Sequence, residues 1–451
     1  MPDLARIVKA YDIRGIVPDE LDEAIAREIG AAFVRFLDAD AIVTAYDMRD
    51  TSPGLARAFA EGAAAQGADV IEAGLGSTDL LYFASGSRDL PGAMFTASHN
   101  PARYNGIKLC RAGAAPVGQD SGLADIRRMV EQGVPSYDGK PGSISRHDLL
   151  ADYAAYMKKL VPGIEAIRQL SVVVDAGNGM AGLTVPVVFE GLPLDLTALY
   201  FELDGSFPNH EANPIDPGNL RDLQAKVRDV GADIGLAFDG DADRCFVVDE
   251  RGEIVSPSVL TALIAVRELE KEPGATIIHN LITSRAVPEI VREHGGKPVR
   301  TRVGHSFIKA TMAETGAAFG GEHSGHFYFR DFWRADSGML AALHTLAALG
   351  SQSSRPLSEL LSEYARYAAS GEINTEVDDP QAKMAAVESS FAGADGTTID
   401  HLDGLTVERS DGSWFNLRPS NTEPLLRLNV EGRDAAAMAE LRDSVLTIVR
   451  G

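Results

Sequence analysis

The chain has few cysteines and a shortage of basic residues relative to acidic ones. Its 451 residues include only two cysteines, Cys110 and Cys245, which lie far apart. This argues against a disulfide framework and a four-ligand zinc site, and it indicates a reducing compartment. The 42 Lys and Arg residues against 65 Asp and Glu residues give a formal charge of −23. We therefore expect no nucleic-acid partner and no charge-driven attachment to anionic lipid.

Long apolar runs are also missing. The longest, 339–349, is interrupted by His344 and Thr345 and is too short to span a bilayer. The N-terminal segment lacks the apolar region of a signal peptide. The composition, 45% hydrophobic and 24% charged, is ordinary for a globular protein. At roughly 150 residues per domain, we expect about three domains. The chain is predicted to be a soluble, cytoplasmic monomer with no membrane partner.

Short apolar strands alternate with helical stretches rich in Ala, Leu, Glu and Arg through most of the chain, which favours α/β units over an all-β fold. Segment 133–145, rich in Gly, Pro and Ser, is predicted to be a linker. The predicted strands are 41–46, 69–72, 92–96, 106–109, 171–175, 234–238, 245–249, 276–279 and 317–320. The predicted helices are 53–66, 255–270, 284–294 and 337–348.

The pattern changes after about residue 370, where antiparallel strands and a closing helix predict a small α+β C-terminal domain. The strands are expected at 405–408, 414–418 and 425–430, and the helix at 435–449. The three preceding α/β stretches are similar enough in pattern to suggest an internal repeat.

Three carboxylates alternate over residues 239–244, DGDADR, directly after an apolar strand. We call this segment the acidic loop. Asp239, Asp241 and Asp243 would repel one another unless a cation neutralised them. Oxygen ligands suit a hard cation, Mg²⁺ or Ca²⁺. A solvated acidic turn is the plain structural alternative.

Two other interpretations of the acidic loop remain open. Its aspartates and Glu250 fit four positions of an EF-hand calcium loop, but Arg244 stands where that loop requires Gly, and the flanks are predicted strands. Alternatively, Asp239 could be the aspartyl nucleophile of a phosphatase, which also follows a strand in an Asp-x-Asp setting.

Ser98 lies in segment 96–101, TASHNP, at the end of an apolar strand, where α/β sheets place chemistry. It could be a nucleophile, a phosphorylated residue, or only the capping Ser of an Asn-Pro turn. His99 need not be its base, because adjacent side chains on a strand point apart. Lys108 follows closely and could meet a phosphate.

Residues 177–182, GNGMAG, follow a predicted strand and satisfy the glycine pattern of dinucleotide-binding folds, with Asp204 further on. A dehydrogenase is therefore an alternative. However, the motif falls in mid-chain, and a tight strand-to-helix turn needs Gly anyway.

Three further polar segments could contact a ligand, although each also has an interpretation as an ordinary turn or a surface salt bridge. Segment 321–326, GEHSGH, could hydrogen-bond sugar hydroxyls, with a His₂Glu zinc site as a weaker alternative. Segment 418–424, RPSNTEP, offers an Arg, two hydroxyls and an amide, which suit a phosphate. Segment 11–15, YDIRG, adds another Arg.

Taken together in this order, these motifs resemble those of the α-D-phosphohexomutase superfamily, with the bacterial phosphomannomutase/phosphoglucomutase branch as the best match. The resemblance covers essentially the whole chain. It implies an α/β protein of four domains around a central cleft: three similar α/β domains with mixed sheets and a smaller α+β C-terminal domain. The expected domains are 1–144 with the phosphoserine loop, 145–250 with the metal loop, 251–368 with the sugar loop, and 369–451 with the phosphate loop.

The resemblance also implies roles for particular residues. Ser98 would carry a phosphoryl group, one oxygen of which would complete an Mg²⁺ site formed by Asp239, Asp241 and Asp243. The expected acid/base and catalytic candidates are Lys108, His305, His326 and Arg14. The expected substrate-binding residues are Tyr11, His99, Arg244, Arg285, Gly304, Glu322, Ser324, Arg418, Ser420, Asn421 and Thr422.

The implied reaction moves a phosphoryl group between the 1- and 6-positions of a hexose phosphate, with a hexose 1,6-bisphosphate as activator and intermediate. Mannose and glucose phosphates are the favoured substrates. His323 stands where that branch usually has Met, so the choice of sugar is the weaker part of the expectation. A phosphoglucosamine mutase, an aspartyl phosphatase and a non-catalytic sugar-phosphate-binding protein remain alternatives.

Overall fold

The computed structural model describes residues 4–393, 395–419 and 425–451, with the side chain of His305 outside the description. The chain divides into two compact units, which are described separately. The first unit consists of Met1–Pro257 and Ser324–Ser358, and the second of Ser258–His323 and Glu359–Gly451. None of the described helices has the length and apolar character needed to cross a membrane.

The first part of the first unit is a mixed sheet with helices. Its strand order is β1-β5-β4-β2-β3-β7, with β6 paired to β5. The central strands run parallel, and β5 runs antiparallel to β1 and β4. The helices are α1 Leu4–Ile7, α2 Glu23–Leu37, α3 Ser52–Ala65, α4 Thr78–Arg88 and α5 Leu123–Gln132. The strands are β1 Ile13–Ile16, β2 Ala41–Tyr46, β3 Asp69–Leu75, β4 Gly92–Phe95, β5 Tyr104–Arg111, β6 Ala115–Pro116 and β7 Ile144–Arg146.

A second mixed sheet follows in the same unit, in the order β12-β11-β10-β8-β9. Strand β10 is parallel to β8 and antiparallel to β11. The helices are α6 Leu150–Leu160, α7 Ala181–Phe189 and α8 Arg221–Val230. The strands are β8 Leu170–Asp175, β9 Leu194–Leu199, β10 Ile234–Phe238, β11 Cys245–Asp249 and β12 Ile254–Val255.

The next stretch of chain is shared between the two units. The second unit holds most of α9 and three parallel strands in the order β14-β13-β15. The first unit holds the antiparallel pair β16–β17 and the buried helix α12. The helices are α9 Pro257–Lys271, α10 Ala286–Glu293, α11 His305–Thr315, α12 Gly338–Gly350 and α13 Leu357–Leu361. The strands are β13 Thr276–Asn280, β14 Lys297–Thr301, β15 Phe319–Gly321, β16 Phe327–Phe329 and β17 Ala335–Asp336.

The C-terminal part of the second unit is an antiparallel sheet in the order β18-β22-β21-β20-β19, packed with two helices. It has its own apolar core, which includes Phe415 and Val445. The strands are β18 Ala368–Glu376, β19 Thr398–Asp400, β20 Leu405–Glu408, β21 Trp414–Pro419 and β22 Leu425–Gly432, and the helices are α14 Pro380–Phe391 and α15 Ala435–Arg450. This matches the predicted α+β domain.

The linker prediction for 133–145 is wrong at its C-terminal end. Residues Ile144–Arg146 form β7, which pairs in parallel with β3. Gly, Pro and Ser dominate the segment, and β7 itself is exposed, so its sequence carries no apolar pattern that would have predicted a strand.

The fold places its functional loops at the carboxyl ends of strands in the two sheets of the first unit, two of them after neighbouring strands of the first sheet. Segment 96–101 follows β4, and residues 47–51 follow β2, which pairs in parallel with β4. The acidic loop follows β10. Loops after parallel strands share one edge of a sheet, which is where open α/β sheets bind ligands.

Candidate active site

The three aspartates of the acidic loop lie close together in the interior of the first unit. One carboxylate oxygen from each of Asp239, Asp241 and Asp243 falls within 4.8 Å of the others. All three side chains are buried, with exposures of 0%, 0% and 2%. Burying three carboxylates is costly unless cations compensate them. The burial therefore excludes the alternative interpretation of this segment as a solvated acidic turn.

Ser98 reaches this cluster from the loop after β4. Its Oγ donates to Asp239 Oδ2 at 2.7 Å, although 141 residues separate the two in sequence. Ser98 has a φ of 50°, in the left-handed region, which is uncommon for a residue with a Cβ. The Ser98 side chain is 5% exposed. The predicted serine and the predicted metal loop thus form one site.

Two cationic side chains neutralise part of the cluster. Lys108 Nζ lies 2.7 Å from Asp241 Oδ2 and 2.6 Å from Asp243 Oδ2. Arg244 donates to Asp239 through Nε at 2.9 Å and through its backbone N–H at 3.1 Å. Burial works against the charge of Lys108, but the two aspartates raise its pKa well above the ordinary value. Lys108 is therefore an ammonium in this arrangement.

The carboxylates differ in proton affinity according to their neighbours. Burial, opposed by Arg244, raises the pKa of Asp239 to about 8. Burial also opposes ionisation of Asp241, but Lys108, together with Thr78 and Ser98, holds the pKa of Asp241 well below its usual range. Asp241 Oδ1 and Asp243 Oδ1 are buried and accept no hydrogen bond from any described residue. These oxygens are the acceptors that a bound cation would satisfy.

His99 adjoins Ser98 and Arg244. Its Nδ1 lies 3.2 Å from Ser98 Oγ and 2.5 Å from Arg244 Nη2. Burial, reinforced by the charges of Arg244 and Arg14, lowers the pKa of His99 to about 2. A neutral ring whose Nδ1 accepts from Arg244 is poorly placed to take the serine proton. The left-handed turn at Ser98 explains the contact, which the assumption of an extended strand did not anticipate.

Other predicted residues of the first unit surround this centre. Arg14, on β1, donates to Asn100 Oδ1 at 2.7 Å. His326 Nε2 lies 3.8 Å from Asp243 Oδ1, and its Nδ1 lies 3.0 Å from Ser324 Oγ. Tyr11 lies just before β1 and is half-buried.

The second unit places Glu322 beside Gly304. Glu322 Oε1 accepts from the Gly304 N–H at 3.2 Å and lies 3.4 Å from Asn280 Nδ2, and its side chain is buried. Arg285 pairs with Glu289, and its backbone N–H donates to Glu431.

The predicted phosphate loop lies partly outside the described residues. Arg418 Nη2 lies 3.0 Å from Glu372 Oε2. Ser420, Asn421, Thr422 and the side chain of His305 lie outside the described residues.

The rival interpretations of the acidic loop lose support. Glu250, needed for a calcium loop, instead accepts from the backbone N–H of Ser358 at 3.0 Å, and the flanks are strands β10 and β11. Both oxygens of Asp239 already accept hydrogen bonds, from Ser98 and Arg244, which disfavours Asp239 as a nucleophile.

The glycine-rich turn 177–182 supports the acidic loop. Met180 N–H donates to the Gly240 carbonyl at 2.9 Å, and a Cβ on Gly179 would lie 2.7 Å from the same oxygen. Asp204 accepts from the backbone of Ser206 within its own loop. Close packing against the acidic loop therefore explains the need for glycine in this turn, without a bound dinucleotide.

Sequence reasoning missed Arg49 and Thr78. Thr78 Oγ1 donates to Asp241 Oδ2 at 2.6 Å from the start of α4, and the guanidinium of Arg49 binds the loop that carries Ser98. The position of Arg49 just after β2 was a usable signal, because TASHNP occupies the same place after the neighbouring strand.

Four domain models of the phosphoglucomutase/phosphomannomutase family match the chain in order. The α/β/α domains I, II and III match residues 5–134, 151–252 and 256–367, and the C-terminal domain matches residues 372–448. The predicted four-domain α/β organisation is thereby confirmed, while the exact domain limits stay a prediction.

Similar proteins carry mutase names. A Xanthomonas campestris protein named "Phosphohexose mutases" is 43% identical over 450 residues, covering 98% of this chain and 99% of the relative. A Salmonella typhimurium phosphomannomutase is 40% identical over 448 residues, covering 97% of both. A solved phosphoglucomutase/phosphomannomutase family protein from Burkholderia thailandensis has a TM-score of 0.88 and 34% identity, covering 100% of this chain and 98% of the other. The chain therefore belongs to the phosphoglucomutase/phosphomannomutase family of phosphohexomutases.

Proposed function

We propose that this phosphohexomutase works through a phosphorylated Ser98 and a hexose 1,6-bisphosphate intermediate. The observation that carries the proposal is the 2.7 Å contact between Ser98 Oγ and Asp239 at the buried carboxylate cluster. A serine oxygen fixed beside a candidate cation site can pass a phosphoryl group to and from a sugar. Transfer of this kind depends mainly on positioning and charge neutralisation.

The acidic loop is suited to Mg²⁺. Asp239, Asp241 and Asp243 supply only oxygen ligands, and two buried oxygens in the cluster lack a hydrogen-bond donor among the described residues. With an oxygen of phosphorylated Ser98 added, these carboxylates would hold the ion. When bound, Mg²⁺ supplies charge neutralisation for the phosphoryl group.

In the transfer step, a free hydroxyl oxygen of the hexose monophosphate attacks the phosphorus on Ser98. The new O–P bond forms as the bond to Ser98 Oγ breaks, and a base takes the hydroxyl proton. The bisphosphate then turns end for end, and Ser98 Oγ attacks the phosphorus at the other position. The bond from that phosphorus to the sugar oxygen breaks, and the base returns its proton to this oxygen. The product is the isomeric monophosphate.

The residues of the first unit divide the remaining work. Lys108, held as an ammonium, and Arg14 neutralise the moving phosphoryl group. His326 is our preferred acid/base, because its ring lies beside the acidic loop, where the transfer would take place. Its Nε2 is 3.8 Å from Asp243 Oδ1. His305 stays a candidate for this role. His99 and Arg244 fix the serine and Asp239, and Tyr11 contributes to the wall of the site.

The residues of the second unit are assigned to sugar and phosphate recognition. Glu322 would bind sugar hydroxyls, and Arg418 the non-reacting phosphate. Ser324, in the first unit, is also assigned to sugar binding. The other proposed substrate contacts are Arg285, Gly304, Ser420, Asn421 and Thr422. Glucose and mannose differ only at C2, so a loop that binds elsewhere on the ring accepts both, and we propose mannose and glucose phosphates as substrates.

A ³¹P NMR time course tests the proposal. The protein would be given Mg²⁺, a trace of glucose 1,6-bisphosphate, and mannose 1-phosphate with glucose 1-phosphate. We expect both to become 6-phosphates, and we expect Ser98→Ala to abolish turnover. Normal turnover by Ser98→Ala would overturn the mechanism, while release of inorganic phosphate would favour a phosphatase. Inertness towards both sugars together with conversion of glucosamine phosphate would favour a phosphoglucosamine mutase.

A further inference from the structure

Arg49 is buried in the first unit and binds the backbone of the loop that carries Ser98. The residue is 2% exposed. Its Nη2 donates to the carbonyl oxygens of Ser98 at 2.8 Å and Asn100 at 2.6 Å. Its Nη1 donates to those of Pro101 at 3.0 Å and Tyr104 at 2.9 Å. Four carbonyls of one short segment thus converge on one guanidinium.

The guanidinium is itself fixed from the other side. Arg49 Nε lies 3.3 Å from Asp47 Oδ2, and the Cζ atom lies 5.1 Å from the centre of the Phe207 ring. Asp47 Oδ1 accepts from Ser52 Oγ at 2.6 Å and from the Arg49 N–H at 3.1 Å. A buried charge held by a carboxylate and an aromatic face has little freedom to move.

The backbone of Ser98 needs such support. Its left-handed φ of 50° costs free energy for a residue other than Gly, and surrounding contacts must maintain it. Its carbonyl points to Arg49 and is packed against Gly240, where a Cβ would lie 2.4 Å from the oxygen. Its N–H donates to Thr96 Oγ1 at 2.9 Å. Both polar backbone groups of Ser98 are therefore held.

We propose that Arg49 is a positioning residue for phosphoryl transfer. By holding the Ser98 carbonyl, its guanidinium fixes the left-handed turn that directs Ser98 Oγ to Asp239. This inference rests on the proposed phosphoserine role of Ser98. Lysine cannot replace Arg49, because a single ammonium cannot reach four carbonyls in the geometry of a planar fork.

The main test is Arg49→Lys, assayed for hexose-phosphate turnover with Mg²⁺. We expect kcat to fall about 100-fold, since small misplacements of reacting groups have effects of that size. We expect KM to stay within about twofold, because the Arg49 guanidinium donates to backbone carbonyls of the loop that carries Ser98 and not to a residue assigned to substrate binding. Magnesium affinity should also be retained, since the acidic loop keeps its own contacts.

Arg168→Lys is the matched control. Arg168 also donates to a carbonyl, that of Gln169 at 3.0 Å, and to a carboxylate, that of Asp233 at 2.9 Å. It lies in the first unit but contacts neither Ser98 nor the acidic loop. The control should lose some thermal stability and keep its kcat. An equal loss of kcat in both variants would overturn the proposal, because it would indicate general destabilisation.

Thr96→Val provides a second variant should Arg49→Lys fold poorly. It is close to isosteric and removes the acceptor of the Ser98 N–H. We expect kcat to fall about tenfold at unchanged KM. A kcat within about threefold of the wild-type kcat, in each of Arg49→Lys and Thr96→Val that folds, would overturn the proposal.

Mass spectrometry separates this inference from the proposed function. Wild type and variants would be treated with glucose 1,6-bisphosphate, and the phosphorylated residue mapped. If wild type carries the phosphoryl group on Ser98 and Arg49→Lys turns over normally, only the role of Arg49 fails. If wild type turns over without phosphate on Ser98, the proposed function fails and the inference fails with it.

Discussion

At the scale of single residues, each aspartate of the acidic loop is oriented by a different partner. Ser98 and Arg244 bind Asp239, whereas Thr78 and Lys108 share one oxygen of Asp241. The other oxygen of Asp241 then stays available as a ligand. Loss of a group that orients a metal ligand typically lowers metal affinity about 10- to 100-fold.

We predict that Thr78→Val weakens magnesium binding about tenfold to 100-fold, because Asp241 loses the hydroxyl that fixes its rotamer. The backbone bond from the Thr78 N–H to the Asp241 carbonyl is unaffected, so the fold should persist. The half-saturating Mg²⁺ concentration for turnover measures the effect. Thr184→Val is the control, since Thr184 is equally buried and its hydroxyl donates to the Met180 carbonyl and not to the acidic loop. Equal Mg²⁺ dependence in the two variants would contradict the prediction.

At the scale of elements, the N-terminus of α4 connects several segments of the first unit. Ser77 caps the helix by accepting from the Leu80 N–H. The buried carboxylate of Asp79 accepts from Ser77, from Tyr153 at 2.8 Å and from Ser337 at 2.7 Å. The same turn presents Thr78 to the acidic loop. Packing of α4 therefore bears on the site as well as on stability.

We predict a pH-dependent stability effect from Asp79. Burial raises its pKa from 3.8 to about 6, so the native state binds this proton more tightly than the unfolded state does. Raising the pH from about 4 to about 6 therefore destabilises wild type relative to Asp79→Asn, by up to about 3 kcal/mol. Above that window the difference should be constant.

Urea unfolding between pH 4 and 7 measures this difference. The two tryptophans, Trp333 and Trp414, lie one in each unit. A Trp414→Phe background therefore leaves Trp333 as the fluorescent reporter of the first unit. If the difference in unfolding free energy between wild type and Asp79→Asn did not change with pH, the pKa of Asp79 would not be raised and the prediction would fail.

Helices α2 and α3 offer a second prediction at this scale. They pack at a glycine contact: a Cβ on Gly62 would lie 2.0 Å from the Arg27 carbonyl oxygen. Gly62→Ala must push the helices apart, so we expect a loss of roughly 2–4 kcal/mol of unfolding free energy. Gly54→Ala, in the same helix, is the control, because its Cβ would meet only the flexible end of Glu23. That control should be neutral or stabilising by up to about 1 kcal/mol. Similar stability of the two variants would contradict the prediction.

At the scale of the whole molecule, the chain carries a formal charge of −23, although its proposed substrates, hexose phosphates, are also negatively charged. Local cations resolve this conflict, since Lys108, Arg14 and Arg244 all lie at or near the acidic loop and the Ser98 loop. The remaining acidic surface repels itself, which destabilises a compact protein at low ionic strength.

We predict that NaCl raises the thermal midpoint at neutral pH by several degrees between about 10 and 150 mM, as the Debye length falls from about 30 to about 8 Å. Scanning calorimetry across this range measures the effect. Near the sequence pI of 4.8, where the net charge vanishes, the salt effect should be small. A midpoint that fell with salt at neutral pH would mean that surface ion pairs outweigh the net repulsion.

The local hydrophobic pattern was sufficient to predict strands that are continuous apolar runs. Strands 41–46, 234–238 and 245–249 were predicted with the bounds that the structure has. Strands β14 and β18 were missed, because neither is buried enough to carry an apolar signature. Whether such a segment forms a strand depends on other segments that cover one of its faces. The sequence of the segment alone does not contain that information.

By itself, the sequence determined the fold class, the family and the segments that carry the chemistry, because each motif is a short run of neighbouring residues. Only the tertiary structure decided which side chains meet. Asp241 and Thr78 are 163 residues apart in sequence, and Arg49 and Ser98 are 49 apart. The parallel strands β2 and β4 bring the loops of Arg49 and Ser98 to one edge of a sheet, whereas Thr78 and Asp241 follow strands of two different sheets. Contacts between segments so distant in sequence leave no local pattern. This is why Ser98 and the aspartates could be predicted, whereas the side chains that hold them in place could not.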